Sequence, residues 1–200
     1  MGTFGQQAGY PALILLDSSD PARIQAIEAQ LDLARTLFII AGKSGSTVET
    51  DAASGYFYQL VVSRFGSEQA GQHFMAITDP ASPLAEHAEA HGYRDLFLNP
   101  PNMGGRYAAM SYFGLVPAAL MGLDLPRLLA SAERMLNAMR SVIPETGHPG
   151  IWLGAYLGHL AQHGLDKLVL LTSPELDAFV PGPSNWWPPA WVKKAVASSR

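Results

Sequence analysis

One recurring alternation restricts what this chain can fold into. Short, wholly apolar runs, each bounded by turn residues, are separated by stretches with helical spacing. The runs are "ALILL" (12–16), "LFII" (37–40), "HFMAIT" (73–78), "DLFLN" (95–99) and "KLVLLTS" (167–173). Between the first two, "ARIQAIEAQLDLAR" places Ile24, Ile27, Leu31 and Ala34 on one helical stripe. Val48, Ala52, Tyr56 and Leu60 continue at the same spacing after the second, and "SPLAEHAEAHG" is a short helix ended by Gly92. "LPRLLASAERMLNAMRSVI" and "PGIWLGAYLGHLAQHG" are further helical stretches. Strands apolar on both faces need cover on both sides, and strands joined through helices pair in parallel. The expected fold is therefore α/β, a three-layer αβα sandwich with a mostly parallel five-stranded sheet.

Composition removes several function classes. The 200 residues carry 13 basic side chains and a formal charge of -4, with no dense basic run to follow a nucleic acid or an anionic membrane. There is no cysteine, hence no disulfide, thiolate zinc site or cysteine nucleophile. Neither a basic-then-apolar leader nor an apolar run of about 18 residues is visible, so a cytoplasmic protein is expected. His87 with His91, and His159 with His163, stand four apart on helices. Without a third ligand in a recognisable pattern they read as helix-surface residues, and no metal is expected. His148, in a "TGHPG" loop, is the histidine to watch.

In open parallel sheets, ligands sit outside the carboxyl ends of strands, at helix N-termini. Two loops occupy such positions. "AGKSGSTVET" (41–50) follows the second run and resembles a nucleotide P-loop, but Leu37 stands where that pattern needs its first glycine. What remains is a small-anion cradle: amides freed by Gly42 and Gly45, hydroxyls of Ser44, Ser46 and Thr47, the Lys43 cation and a helix dipole. The bland alternative is that Ser46 and Glu49 form a capping box and the glycines only turn the chain. The second loop, after the fourth run, exposes Gly104-Gly105-Arg106 before an apolar stretch. Arg106 is the lone cation between residues 96 and 123, which suits a carboxylate, phosphate or enediolate better than general surface charge.

Taken together these segments carry a resemblance. "GKSGSTVET" resembles the phosphate loop of sugar isomerase (SIS) domains, a flavodoxin-like fold, and "NMGGRYAAMSYFGLVPAALMG" resembles the glycine-glycine-arginine signature of phosphoglucose isomerases. With "LDSSDP", "ITDP", "FLNPP" and "DKLVLLTSP" the likeness runs from residue 4 to about 180, nearest to the isomerase part of bacterial fused transaldolase/phosphoglucose isomerase proteins. The resemblance implies a dimeric cytoplasmic enzyme of glycolysis and gluconeogenesis that interconverts glucose 6-phosphate and fructose 6-phosphate without metal or organic cofactor. It also implies that Lys43, Ser44, Ser46 and Thr47 hold the sugar phosphate. Gly104 and Gly105 would shape the substrate loop, and Arg106 would stabilise the enediolate.

The chain departs from the family pattern in places. Ala108 and Gly42 stand where hydroxyl residues are usual. An N-terminal strand with a further phosphate loop is expected to be missing, and the family's Glu base, ring-opening His and late Lys have no assigned counterparts. Residues 1–180 are expected to form the sugar isomerase domain. Residues 181–200, which hold three of the four tryptophans, form a Pro- and Trp-rich tail unlike the family and suggest a clipped or frameshifted product. The alternative function is a non-catalytic phosphosugar-binding module.

Overall fold

A computed structural model of the chain describes residues 7–165, 167–174 and 192–196. It divides into two compact units, Leu13–Pro117 and a second made of the N-terminal residues to Ala12 with Ala118 onward. The boundary falls inside a helix, next to its internal Pro117.

The first unit is built on three parallel strands in the order β1 (Phe38–Ala41), β2 (Phe74–Thr78) and β3 (Asp95–Leu98). Phe38 lies opposite Phe74, Ile40 opposite Ala76, and Ala76 opposite Leu96. Helix α1 (Pro21–Glu28) precedes β1, α2 (Val48–Phe65) and the single turn α3 (Ser67–Ala70) join β1 to β2, and α4 (Pro83–Ala90) joins β2 to β3. Because strand residues alternate faces, Phe38, Ile40, Phe74, Ala76 and Leu96 share one side. There Phe57, Tyr58 and Val61 of α2, with Ile27 of α1, pack near Phe74, and Leu84 and Ala88 of α4 pack near Ala76. Phe74 is fully buried and stacks on Phe38 at 4.9 Å, with Tyr58 and Tyr93 at 5.4 and 5.2 Å. From the opposite face Tyr112, which opens α5 (Tyr112–Leu120), meets Phe97 at 5.5 Å. The α/β class with a parallel sheet and helical cover holds.

The second unit contains α6 (Leu125–Ala138), α7 (Pro149–Gln162) and a separate parallel pair, β4 (Leu168–Thr172) with β5 (Val192–Val196). Positive φ at Gly122 lets the chain pass Tyr10, whose ring would lie 2.5 Å from any Cβ there. His148 has a structural role. Its Nδ1 accepts from the Ile151 amide at 3.1 Å to cap α7, while Nε2 donates to the Met139 carbonyl at 2.9 Å. His91 and His163 use Nδ1 on the carbonyls of His87 and His159. Among the described residues no group of three metal-ligating side chains occurs.

Three expectations need correction. The anticipated strands do not form one five-stranded sheet: β1, β2 and β3 pair together, whereas β4 pairs with β5, which was not anticipated. "ALILL" is not a strand. It runs without a described ladder partner, Leu16 packing on the core while Ile14 and Leu15 are 47% and 68% exposed. An apolar run becomes a strand only when a neighbouring edge takes its backbone hydrogen bonds. Finally, the helix anticipated over 22–35 ends at Glu28, because Asp32 turns its carboxylate onto the Ala34 amide and starts a separate 3₁₀ turn, Leu33–Arg35.

Phe74→Ala should lower unfolding free energy by about 3–5 kcal/mol, the usual cost of emptying a buried aromatic site, as read by denaturant titration. A second prediction concerns acid. Partial desolvation, and next the neighbouring His91, hold the His87 pKa below 6.5 against a smaller opposing pull from Asp51. The unfolded chain thus takes up this proton more readily, so stability is full above pH about 6.5 and declines as pH falls through the depressed folded-state value. His87→Gln should flatten that slope in thermal melts between pH 7 and 5.

Candidate functional site

Strands β1, β2 and β3 end together, and the loops leaving them form one rim. The β1–β2 ladder runs past the strands: the Gly42 amide donates to Ile77 O at 3.0 Å and the Asp79 amide to Lys43 O at 3.2 Å. Buried Thr78 donates its hydroxyl to Gly42 O at 2.7 Å and shares a 2.7 Å contact with Ser82, whose Oγ caps α4 by accepting from the Ala85 amide. Gly45, at φ +61, lies so close to α4 that a Cβ would stand 2.8 Å from Leu84. The glycine is required by its conformation and by the contact alike.

Within this loop the hydroxyls are exposed. Ser46 Oγ donates to Ser44 Oγ at 3.2 Å instead of capping α2, whose N-cap is Thr47 and which has no side-chain cap hydrogen bond. The anticipated Ser46–Glu49 capping box does not form. The first turn of α2 therefore keeps amide donors without a side-chain partner, beside three hydroxyls and the positive end of an 18-residue helix.

The Lys43 ammonium forms an ion pair with Asp79 and donates to Pro101 O at 3.4 Å. Asn99, at the end of β3, is buried. Its amide donates to Thr78 O at 2.8 Å and its Oδ1 accepts from the Tyr112 amide at 3.2 Å, which anchors the start of α5. The segment between carries Gly104 and a 3₁₀ turn, Gly105–Met110. Lys43, Gly105, Ala108, Ala109, Phe113 and Gly114 line one open cleft of about 340 Å³, within the range of small-molecule sites. Arg106 lies in the same turn by its backbone, and its side chain is outside the described residues.

Lys43 and Gly105, 62 positions apart (105 − 43), thus meet at one cleft, while Ser44, Ser46 and Thr47 sit on the adjoining loop rather than among the lining residues. Asp79, Thr78 and Asn99 were not anticipated. The signal for them was present in "ITDP" and "FLNPP", polar side chains at strand ends, but such residues read equally as turn formers.

The chain is similar to known proteins over most of its length. The phosphoglucose isomerase family model matches residues 4–164. Glucose-6-phosphate isomerase from Thermosynechococcus vestitus is 32% identical over 171 residues, covering 82% of this chain and 31% of that protein. The Limosilactobacillus reuteri enzyme of the same name is 36% identical over 151 residues, covering 74% and 32%. Among solved structures, a hypothetical protein from Thermus thermophilus superposes with a TM-score of 0.78 at 27% identity, over 91% of this chain and 46% of that one. A Chlamydia trachomatis glucose-6-phosphate isomerase shares the fold, with a TM-score of 0.67 at 24% identity, over 82% and 32%. The chain spans about a third of the length of the curated relatives it matches, and over that span it belongs to the phosphoglucose isomerase family.

Proposed function

We propose that this chain carries the phosphosugar-binding region of an aldose-ketose isomerase acting on hexose 6-phosphates. The observation that carries the reading is the shared rim: Lys43 at the base of the hydroxyl loop and Gly105 beside Arg106 line a single cleft outside the carboxyl ends of a parallel sheet. In this reading the hydroxyls of Ser44, Ser46 and Thr47, the backbone around Lys43 and the first-turn amides of α2 take the phosphate, which anchors the substrate far from its reacting carbons. Gly104 and Gly105 allow close approach of the sugar. Arg106 stabilises the negative charge that builds on oxygen as a proton moves between neighbouring carbons of glucose 6-phosphate or fructose 6-phosphate.

One observation favours the second reading, a phosphosugar-binding module without turnover. No carboxylate or imidazole that could serve as the base is among the described residues lining the cleft. The proposal extends to residues 1–180 acting as one sugar isomerase domain, in the cytoplasm, as a homodimer. No helix among the described residues is long and apolar enough to cross a membrane. α7 presents Ile151, Trp152 and Tyr156 at its surface.

Calorimetric titration with fructose 6-phosphate, run beside a coupled isomerase assay, separates the readings. Saturable binding with turnover supports the enzyme, binding without turnover supports the module, and no binding rejects both. The combined Ser44→Ala, Ser46→Ala, Thr47→Ala variant should weaken binding at least about tenfold, since a hydrogen bond to a charged group contributes about 1.5–3 kcal/mol. If turnover is present, Arg106→Lys should lower kcat on the order of a hundredfold with a smaller change in affinity.

A further inference from the structure

The hydroxyl loop's cation is already engaged. Lys43 Nζ pairs with Asp79 Oδ2 on the turn after β2 and reaches Pro101 O, 3.4 Å away on the loop after β3. The Asp79 amide donates in turn to Lys43 O at 3.2 Å, so the two residues are joined by side chains and by backbone. Neither group is freely solvated. Their side chains retain 34% and 16% of their exposure, and Asp79 Oδ1 is buried with no hydrogen-bond partner among the described residues. A carboxylate in that position depends on the ammonium beside it, because removing the partner leaves a poorly hydrated charge uncompensated. The same carboxylate opposes a phosphate that approaches the ammonium, since both are anions competing for one cation. Ser44, Ser46 and Thr47 are exposed, and α2 has no side-chain cap.

We propose that Lys43 and Asp79 form a positioning pair that ties the three loops of the rim together, and that the phosphate is held by hydroxyls and backbone amides rather than by the Lys43 ammonium. This rests on the phosphosugar reading above. The pair sets the spacing between the hydroxyl loop, which takes the phosphate, and the Gly104–Gly105 turn, which meets the far end of the sugar. A ligand that spans both loops feels a loss of that spacing. A ligand that touches only the hydroxyl loop does not.

The test is calorimetric titration of the full chain with fructose 6-phosphate and, separately, inorganic phosphate, using Lys43→Met, Asp79→Asn, their double variant and Lys43→Arg. Each single loss should weaken fructose 6-phosphate about tenfold, the double should be no weaker than the worse single, and inorganic phosphate should stay within about twofold throughout. Lys43→Arg, which keeps the charge and the donors, should recover most of the sugar-phosphate affinity. Tighter inorganic phosphate binding in Asp79→Asn, or its loss in Lys43→Met, overturns the proposal, because each identifies the ammonium as a direct ligand. If the unaltered chain binds neither ligand, the phosphosugar reading fails by itself. Hydrogen exchange then judges the pair: amides of both 42–47 and 99–105 should exchange faster in Asp79→Asn, and unchanged protection in 99–105 overturns it. Should Asp79→Asn not fold, the Lys43→Met and Lys43→Arg pair carries the same comparisons.

Discussion

The rim depends on the β1–β2 ladder not stopping where the strands stop. Two backbone bonds beyond the last paired residues, Gly42 to Ile77 and Asp79 to Lys43, carry the sheet's geometry into the loops. Thr78 then closes the gap from the side, its buried hydroxyl bridging the Gly42 carbonyl and the Ser82 cap of α4. Such a group is costly to bury unless bonded, so its full satisfaction favours one arrangement of the loop over its neighbours. On the next strand Asn99 joins β2 to the start of α5 through its backbone amide and Oδ1, while its Nδ2 is buried without a partner among the described residues. Loops that are elsewhere the mobile regions of a fold leave this sheet from fixed points.

Beneath the rim, rigidity comes from aromatic packing. Phe38, Phe57, Tyr58, Phe74 and Tyr93 meet at centroid distances near 5 to 6 Å, where offset and tilted pairs add to the burial of their area. Burial, with a smaller contribution from Tyr58, pushes the Tyr93 hydroxyl up to about 12, so it stays neutral in this apolar setting. The core thus carries the strands while the polar groups collect at their carboxyl ends. That segregation lets the Lys43–Asp79 pair sit at the boundary between dry interior and open cleft.

Much of the first unit was legible from the chain alone. β1, β2 and β3 are apolar runs between turn residues, and α2 and α4 follow from residues at helical spacing, because burial on a sheet and burial on a helix leave different periods. The loop after β1 was legible as a glycine- and hydroxyl-rich turn between a strand and a helix, a pattern that serves an anion or a plain turn equally well. "ALILL" was misread because periodicity reports that a segment is apolar and says nothing of which edge receives its hydrogen bonds. The capping box failed for a similar reason: Ser46 had two acceptors within reach, and the folded loop turned it toward Ser44. Asp79 reads as a turn former in its local context, because its partner Lys43 lies 36 residues earlier.

The amino-acid sequence by itself determined the class of fold and the two candidate segments, through local patterns of polarity and spacing, and the family, through the likeness of those segments to a known one. Only the tertiary structure decided that Lys43 and Gly105 face one cleft, that the Lys43 ammonium is held by Asp79, and that the last anticipated strand, β4, pairs with β5 rather than joining β1, β2 and β3. Each of those outcomes is a meeting of residues distant along the chain. Such meetings are settled by which surfaces pack and which backbone groups find partners, and no local pattern encodes them.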